Sequence, residues 1–84
     1  MTGLNLIKFF YMQKSFSELE VISKLIKELR IKKGLSQERF SHLINIDRKY
    51  ASLIEKGNRN LSILMLVKIT KGLGISLEEF FRNY

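Results

Sequence analysis

Residues Ser36–Lys56 read SQERFSHLINIDRKYASLIEK. The stretch divides near its middle into two short helical segments. Ser36 is an N-cap candidate, because a serine hydroxyl accepts from a first-turn N–H that has no partner inside the helix. Phe40, Leu43 and Ile44 are expected to supply the buried side, and the segment ends near Ile44. Asn45 follows, and asparagine tolerates the left-handed conformation better than most non-glycine residues. Ile46 is expected to plug the core between the segments. Asp47 is the expected N-cap of the next helix, which runs from about Arg48 to Lys56 and is closed by Gly57. One feature is out of place by local rules: Arg48 and Lys49 occupy a first turn, where the helix dipole disfavours cations. An external anion would offset that cost.

Outward from this stretch the pattern stays helical. From about Ser17 to Lys33, Leu19, Ile22, Leu25, Ile26 and Leu29 recur at steps of three and four and form one apolar stripe. Ser17 and Glu20 have capping-box spacing, and Gly34 is a natural stop. After Asn58-Arg59-Asn60, Ser62 starts another helix with Leu64, Leu66, Val67, Ile69 and Leu73 as apolar positions and Gly72 and Gly74 at its end. Ser76 caps a last helix, with Glu78 and Glu79 in its dipole-favoured first turn. No segment alternates at strand period. The prediction is an all-α, compact five-helix domain over residues 18–84. Residues 1–17 form an extension whose Phe9, Phe10, Tyr11 and Phe16 need cover from the domain or from a partner subunit.

Composition narrows the functions. A chain of 84 residues suits one compact domain. It has no proline, which favours unbroken helices, and no cysteine, which removes disulfides, thiolate metal sites and a thiol nucleophile. His42 is the only histidine, so a triad or a histidine-rich metal site has little to work with. Glu78 and Glu79 are adjacent on a helix and point apart. No glycine loop to cradle phosphate and no nucleophile–base set is present. We therefore expect no enzyme activity, no metal, no cofactor and no small-molecule ligand. The net charge of +7 points to a polyanionic partner. The longest apolar stretch, Leu4 to Met12, is interrupted by Asn5 and Lys8 and is far shorter than the ~20 residues of a membrane span. It also lacks a signal-cleavage pattern, so a cytoplasmic protein is expected.

Two short helices, 36–44 and 47–56, joined around Asn45, have the geometry of a helix-turn-helix, whose second helix enters the DNA major groove. Here the motif sits at the second and third of five helices in a basic chain. Residues from about 22 to 81 resemble the phage repressor/Cro-type (XRE-like) helix-turn-helix family, through the segments IKELRIKKGLSQERFSHL, NIDRKYASLIEKGNRNLSI and LVKITKGLGISLEEFF. Arg30, Gly34, Leu35-Ser36-Gln37, Ile46, Tyr50, Glu55, Gly57, Arg59 and Leu73-Gly74-Ile75-Ser76 carry the match. It departs at Asn45, where the family has a corner glycine, at Ser41, where it has alanine, and at Ala51, where it has an aliphatic residue. The resemblance implies a lambda-repressor-like fold. More narrowly, DRKYASLIEKGNRNLSI is similar to the matching stretch of restriction–modification controller proteins, which often read Asp-Arg-Thr-Tyr followed by Arg-Asn-Leu. Those are small dimeric regulators.

The resemblance implies that Arg48 and Lys49 reach base edges. An arginine can grip guanine O6 and N7 with two hydrogen bonds. Ser52, one turn on, either contacts DNA or is a neutral surface serine. Tyr50 either points its hydroxyl at a phosphate or is a half-buried core residue. Leu53 is expected at the groove edge and Ile54 in the core. The amide of Gln37 and the free N–H groups beside it suit a phosphate. The resemblance further places Asn58, Arg59 and Asn60 against the DNA backbone. It makes Arg30 and Glu55 an ion pair between the first and third helices, with Arg30 presented to phosphate.

One such domain touches few base pairs, so a homodimer reading a pseudo-palindrome in double-stranded DNA is expected. Leu77, Phe80, Phe81 and Tyr84 are the expected dimer interface, with the N-terminal aromatics as a second candidate. The function expected is that of a sequence-specific transcriptional regulator. The alternatives are an antitoxin whose aromatic extension grips a toxin, and a protein-interaction module on the same fold.

Overall fold

The computed structural model describes residues 18–57 and 59–84. Among the described residues five helices follow one another: α1 (Glu18–Lys32), α2 (Gln37–Leu43), α3 (Arg48–Glu55), α4 (Ile63–Leu73) and α5 (Leu77–Arg82). No strand occurs among the described residues. Residues 1–17, with the extension, its aromatics and the Ser17 cap, lie outside the described residues, as does Asn58.

Three helices begin on a serine that caps them: Ser36 accepts from Arg39 N–H at 3.0 Å, Ser62 from Met65 N–H at 3.0 Å and Ser76 from Glu79 N–H at 3.1 Å. At Ser76 the Glu79 carboxylate returns to the Ser76 N–H and completes a capping box. Asp47 precedes α3 with extended backbone (φ −66°, ψ 138°), yet its carboxylate makes no capping hydrogen bond. The expected Asp47 cap is corrected to that extent: the residue holds the position, and the side chain does not do the bonding. The corner of the helix-turn-helix is Asn45 at φ 55°, the only described non-glycine residue at positive φ. The α4–α5 turn needs Gly74, at φ 72°, as the left-handed cap of α4.

Every helix contributes to one core. Leu25 and Ile26 come from α1, Phe40 from α2, Ala51 and Ile54 from α3, Leu66, Ile69 and Leu73 from α4 and Phe80 from α5; Ile44 joins them from the α2 C-cap. Ile46 and Tyr50 pack against the cluster. Two expected core positions are corrected. Leu43 is exposed, because the buried face of α2 runs through Phe40, Ser41 and Ile44 and leaves Leu43 beside it. Leu64 is 82% exposed, because the inward face of α4 is Leu66, Ile69, Thr70 and Leu73. At 100° per residue, position 64 falls almost opposite position 66. Helices α2 and α4 approach closely at Gly72, where an added Cβ would lie 2.2 Å from Ile44 Cγ2.

Candidate nucleic-acid interface

The interface is built on α3. Ala51 and Ile54 anchor one side of the helix in the core, and half-buried Tyr50 flanks them against the same cluster. That anchoring turns the other side out. Arg48 and Lys49 are exposed, and Ser52 lies one turn further on, half-buried. Neither cation forms an ion pair among the described residues. Leu53 is half-buried and Lys56 exposed. Arg48 and Asp47 border a shallow groove shared with Ser36, Arg39 and His42 of the preceding helix and its cap. The first turns of α2 and α3 therefore open on the same groove, lined by the cations Arg39 and Arg48 together with Glu38.

A network behind this surface fixes α3 to α1 and α2. Arg30 Nε donates to Glu55 Oε2 at 2.6 Å and Nη2 to Glu55 Oε1 at 3.1 Å. Arg30 Nη1 donates to the Leu35 carbonyl oxygen, which ties the α1–α2 turn into the same arginine. The two side chains are 9% and 3% exposed. Burial at that level makes the bidentate pairing obligatory, since either partner alone would be a desolvated, uncompensated charge. Arg30 thus works as a tie between helices, with most of its side chain withdrawn from the surface that a phosphate could reach.

Gln37 completes the network: its Nε2 donates to Glu55 Oε1 at 3.1 Å. This third member was not legible in the sequence, which suggested only an amide suited to phosphate. One of its two amide N–H groups is taken by Glu55 and the Arg39 backbone N–H by the Ser36 hydroxyl; the other amide N–H and the backbone N–H groups of Gln37 and Glu38 remain available to an outside acceptor. Lys68 was missed altogether. From α4 its Nζ donates to the Asn45 carbonyl oxygen at 3.3 Å, bracing the corner between α2 and α3. The two residues are 23 apart in sequence, so no local spacing could have announced the contact.

Arg59 and Asn60 are exposed in the connection from α3 to α4. On α5, Phe80 is fully buried in the chain's own core, whereas Phe81 is 39% exposed and stacks edge-on against both Phe80 and Tyr84. Leu77 and Tyr84 pack against the core from its edge. The largest apolar exposure among the described residues is on the first turn of α4, at Ile63 (68%) and Leu64 (82%). No group of three His, Cys, Asp or Glu side chains among the described residues could hold a metal ion.

Residues 26–80 match the helix-turn-helix family model. Control protein C.MunI from a Mycoplasma species is 51% identical over 61 residues, which span 73% of this chain and 82% of that protein. Among solved structures, the restriction–modification controller protein C.Esp1396I, a tetramer in complex with its natural 35 base-pair operator, superposes with a TM-score of 0.74 at 44% identity, covering 76% of this chain and 84% of that one. The controller protein C.AhdI from Aeromonas hydrophila gives a TM-score of 0.74 at 36% identity over 79% of this chain and 100% of that one.

Proposed function

The chain belongs to the helix-turn-helix family, among the restriction–modification controller proteins, and on that premise we propose that it is a sequence-specific transcriptional regulator that binds double-stranded operator DNA as a homodimer. The observation that carries the reading is the presentation of Arg48 and Lys49. They lie exposed, with no ion pair among the described residues, at the start of a helix that is held from behind by Ala51, Ile54 and the Arg30–Glu55–Gln37 network. A charge placed against its own helix dipole, on a rigid mount, suits an anionic partner of fixed shape.

Within residues 18–84, Arg48, Lys49 and Ser52 face the base edges. Gln37, Tyr50, Asn58, Arg59 and Asn60 hold the DNA backbone. Arg30 supports them through Glu55. The dimer forms through the edge of α5, at Leu77, Phe81 and Tyr84, with the exposed Ile63 and Leu64 of α4 as a further apolar surface. Two copies then read the halves of a pseudo-palindrome about one helical turn apart. The protein performs no catalysis and works in the cytoplasm. That reading is supported by the family and by the lack, among the described residues, of any helix long and apolar enough to cross a membrane.

A binding titration on the DNA upstream of the protein's own gene, at two salt concentrations, tests the function. Upstream DNA should bind ~10³-fold or more tighter than scrambled duplex. Equal affinity for the two, falling steeply with salt, would leave only electrostatic attraction and would contradict the reading.

A further inference from the structure

The carboxylate of Asp47 makes no capping hydrogen bond and no ion pair among the described residues, although Arg39 and Arg48 border the same groove. The residue stands immediately before Arg48, exposed, with backbone angles suited to capping. The helix-capping task it leaves undone is performed by a serine hydroxyl at each of α2, α4 and α5. A free negative charge at the leading edge of a DNA-facing surface repels phosphate, so it weakens binding to every duplex unless a base donor meets it.

The major groove offers few such donors. A carboxylate only accepts hydrogen bonds. Adenine pairs its amino group with the N7 acceptor on the same edge, which faces a carboxylate unfavourably. Cytosine presents its 4-amino group with no acceptor beside it on that base. We propose that Asp47 is a specificity-determining residue that accepts a hydrogen bond from the 4-amino group of a half-site cytosine and, through its charge, penalises DNA that lacks that amine. This rests on the DNA-binding function proposed above. It adds a cytosine reader beside Arg48, whose guanidinium suits guanine.

The test compares the full chain with Asp47→Ser, which keeps a capping residue of the kind the other helices use. Both are titrated against upstream DNA, scrambled DNA, and upstream DNA in which each half-site cytosine in turn is replaced by 2-pyrimidinone, the same base without its amino group. The wild-type chain should lose about tenfold at one position. Asp47→Ser should be insensitive there, should bind scrambled DNA more tightly than wild type, and should melt at the wild-type temperature or above. Equal sensitivity of both proteins at every cytosine overturns the proposal, and so does a lower melting temperature with a proportional loss on all DNA, which would make Asp47 a cap. If the wild-type chain does not prefer upstream over scrambled DNA, the function itself fails, an outcome separate from the loss of Asp47's role alone.

Discussion

Glu55 joins three helices through one carboxylate, accepting from Arg30 twice and from Gln37 once. Removing it leaves a guanidinium that is nine-tenths buried without its counter-charge. Glu55→Ala should therefore cost about 3 kcal/mol of stability and weaken DNA binding as well, since α3 and Gln37 lose their shared support. Thermal melting and operator titration check this, and an unchanged melting temperature would count against it. Ser23 presents the opposite case. The residue is 1% exposed, and its hydroxyl has no hydrogen-bond partner among the described residues. Ser23→Ala removes a desolvated, unsatisfied group and should raise stability by about 1 kcal/mol in a denaturant titration; a loss would mean that the hydroxyl is bonded in solution.

At the scale of the element, the helices were legible because their punctuation is chemical and local. Ser36, Ser62 and Ser76 announce helix starts that the structure places where serine caps should be, and Asn45 announces the corner through its tolerance of positive φ. What was not legible depends on neighbours distant in sequence. Periodicity admits Leu43 and Leu64 as apolar positions, and only the packing direction of α2 and α4 turns them outward. The interface divides in the same way. The exposed cations at the start of α3 could be read from one turn of sequence, whereas the bonds of Gln37 to Glu55 and of Lys68 to Asn45 exist only once the helices have docked. Gly72 belongs to this second group. Its place inside α4 looks like a weak point by helix propensity, yet it lets Ile44 approach. Gly72→Ala should destabilise the fold by about 1–3 kcal/mol through overpacking, against the gain of up to ~1 kcal/mol that alanine brings to an open helix. A net rise in melting temperature would show that α2 and α4 can separate without cost.

At the scale of the whole molecule, the open question of chemistry is how one small domain achieves specificity, and the answer proposed is duplication. Among the described residues, Ile63 and Leu64 of α4 are large apolar side chains left exposed, and Phe81 on the following helix is partly exposed. Because Leu64 is 82% exposed among the described residues, Leu64→Glu should leave the helical circular dichroism and fold intact. It should nonetheless shift the protein toward monomer in sedimentation at micromolar concentration, with weaker operator binding. Wild-type sedimentation by this variant would move the interface elsewhere, and a wild-type chain that stays monomeric even with operator DNA would end the dimer account.

The central claim is that α3 reads sequence through Arg48. The most direct measurement is the ratio of affinities for upstream and scrambled DNA, compared between the wild-type chain and Arg48→Ala at one salt concentration. The account predicts that the substitution lowers that ratio by about 1–3 kcal/mol, since a phosphate contact alone would weaken both duplexes together. An unchanged ratio, with both affinities reduced alike, would make Arg48 a backbone contact and contradict the assignment of base reading to the start of α3.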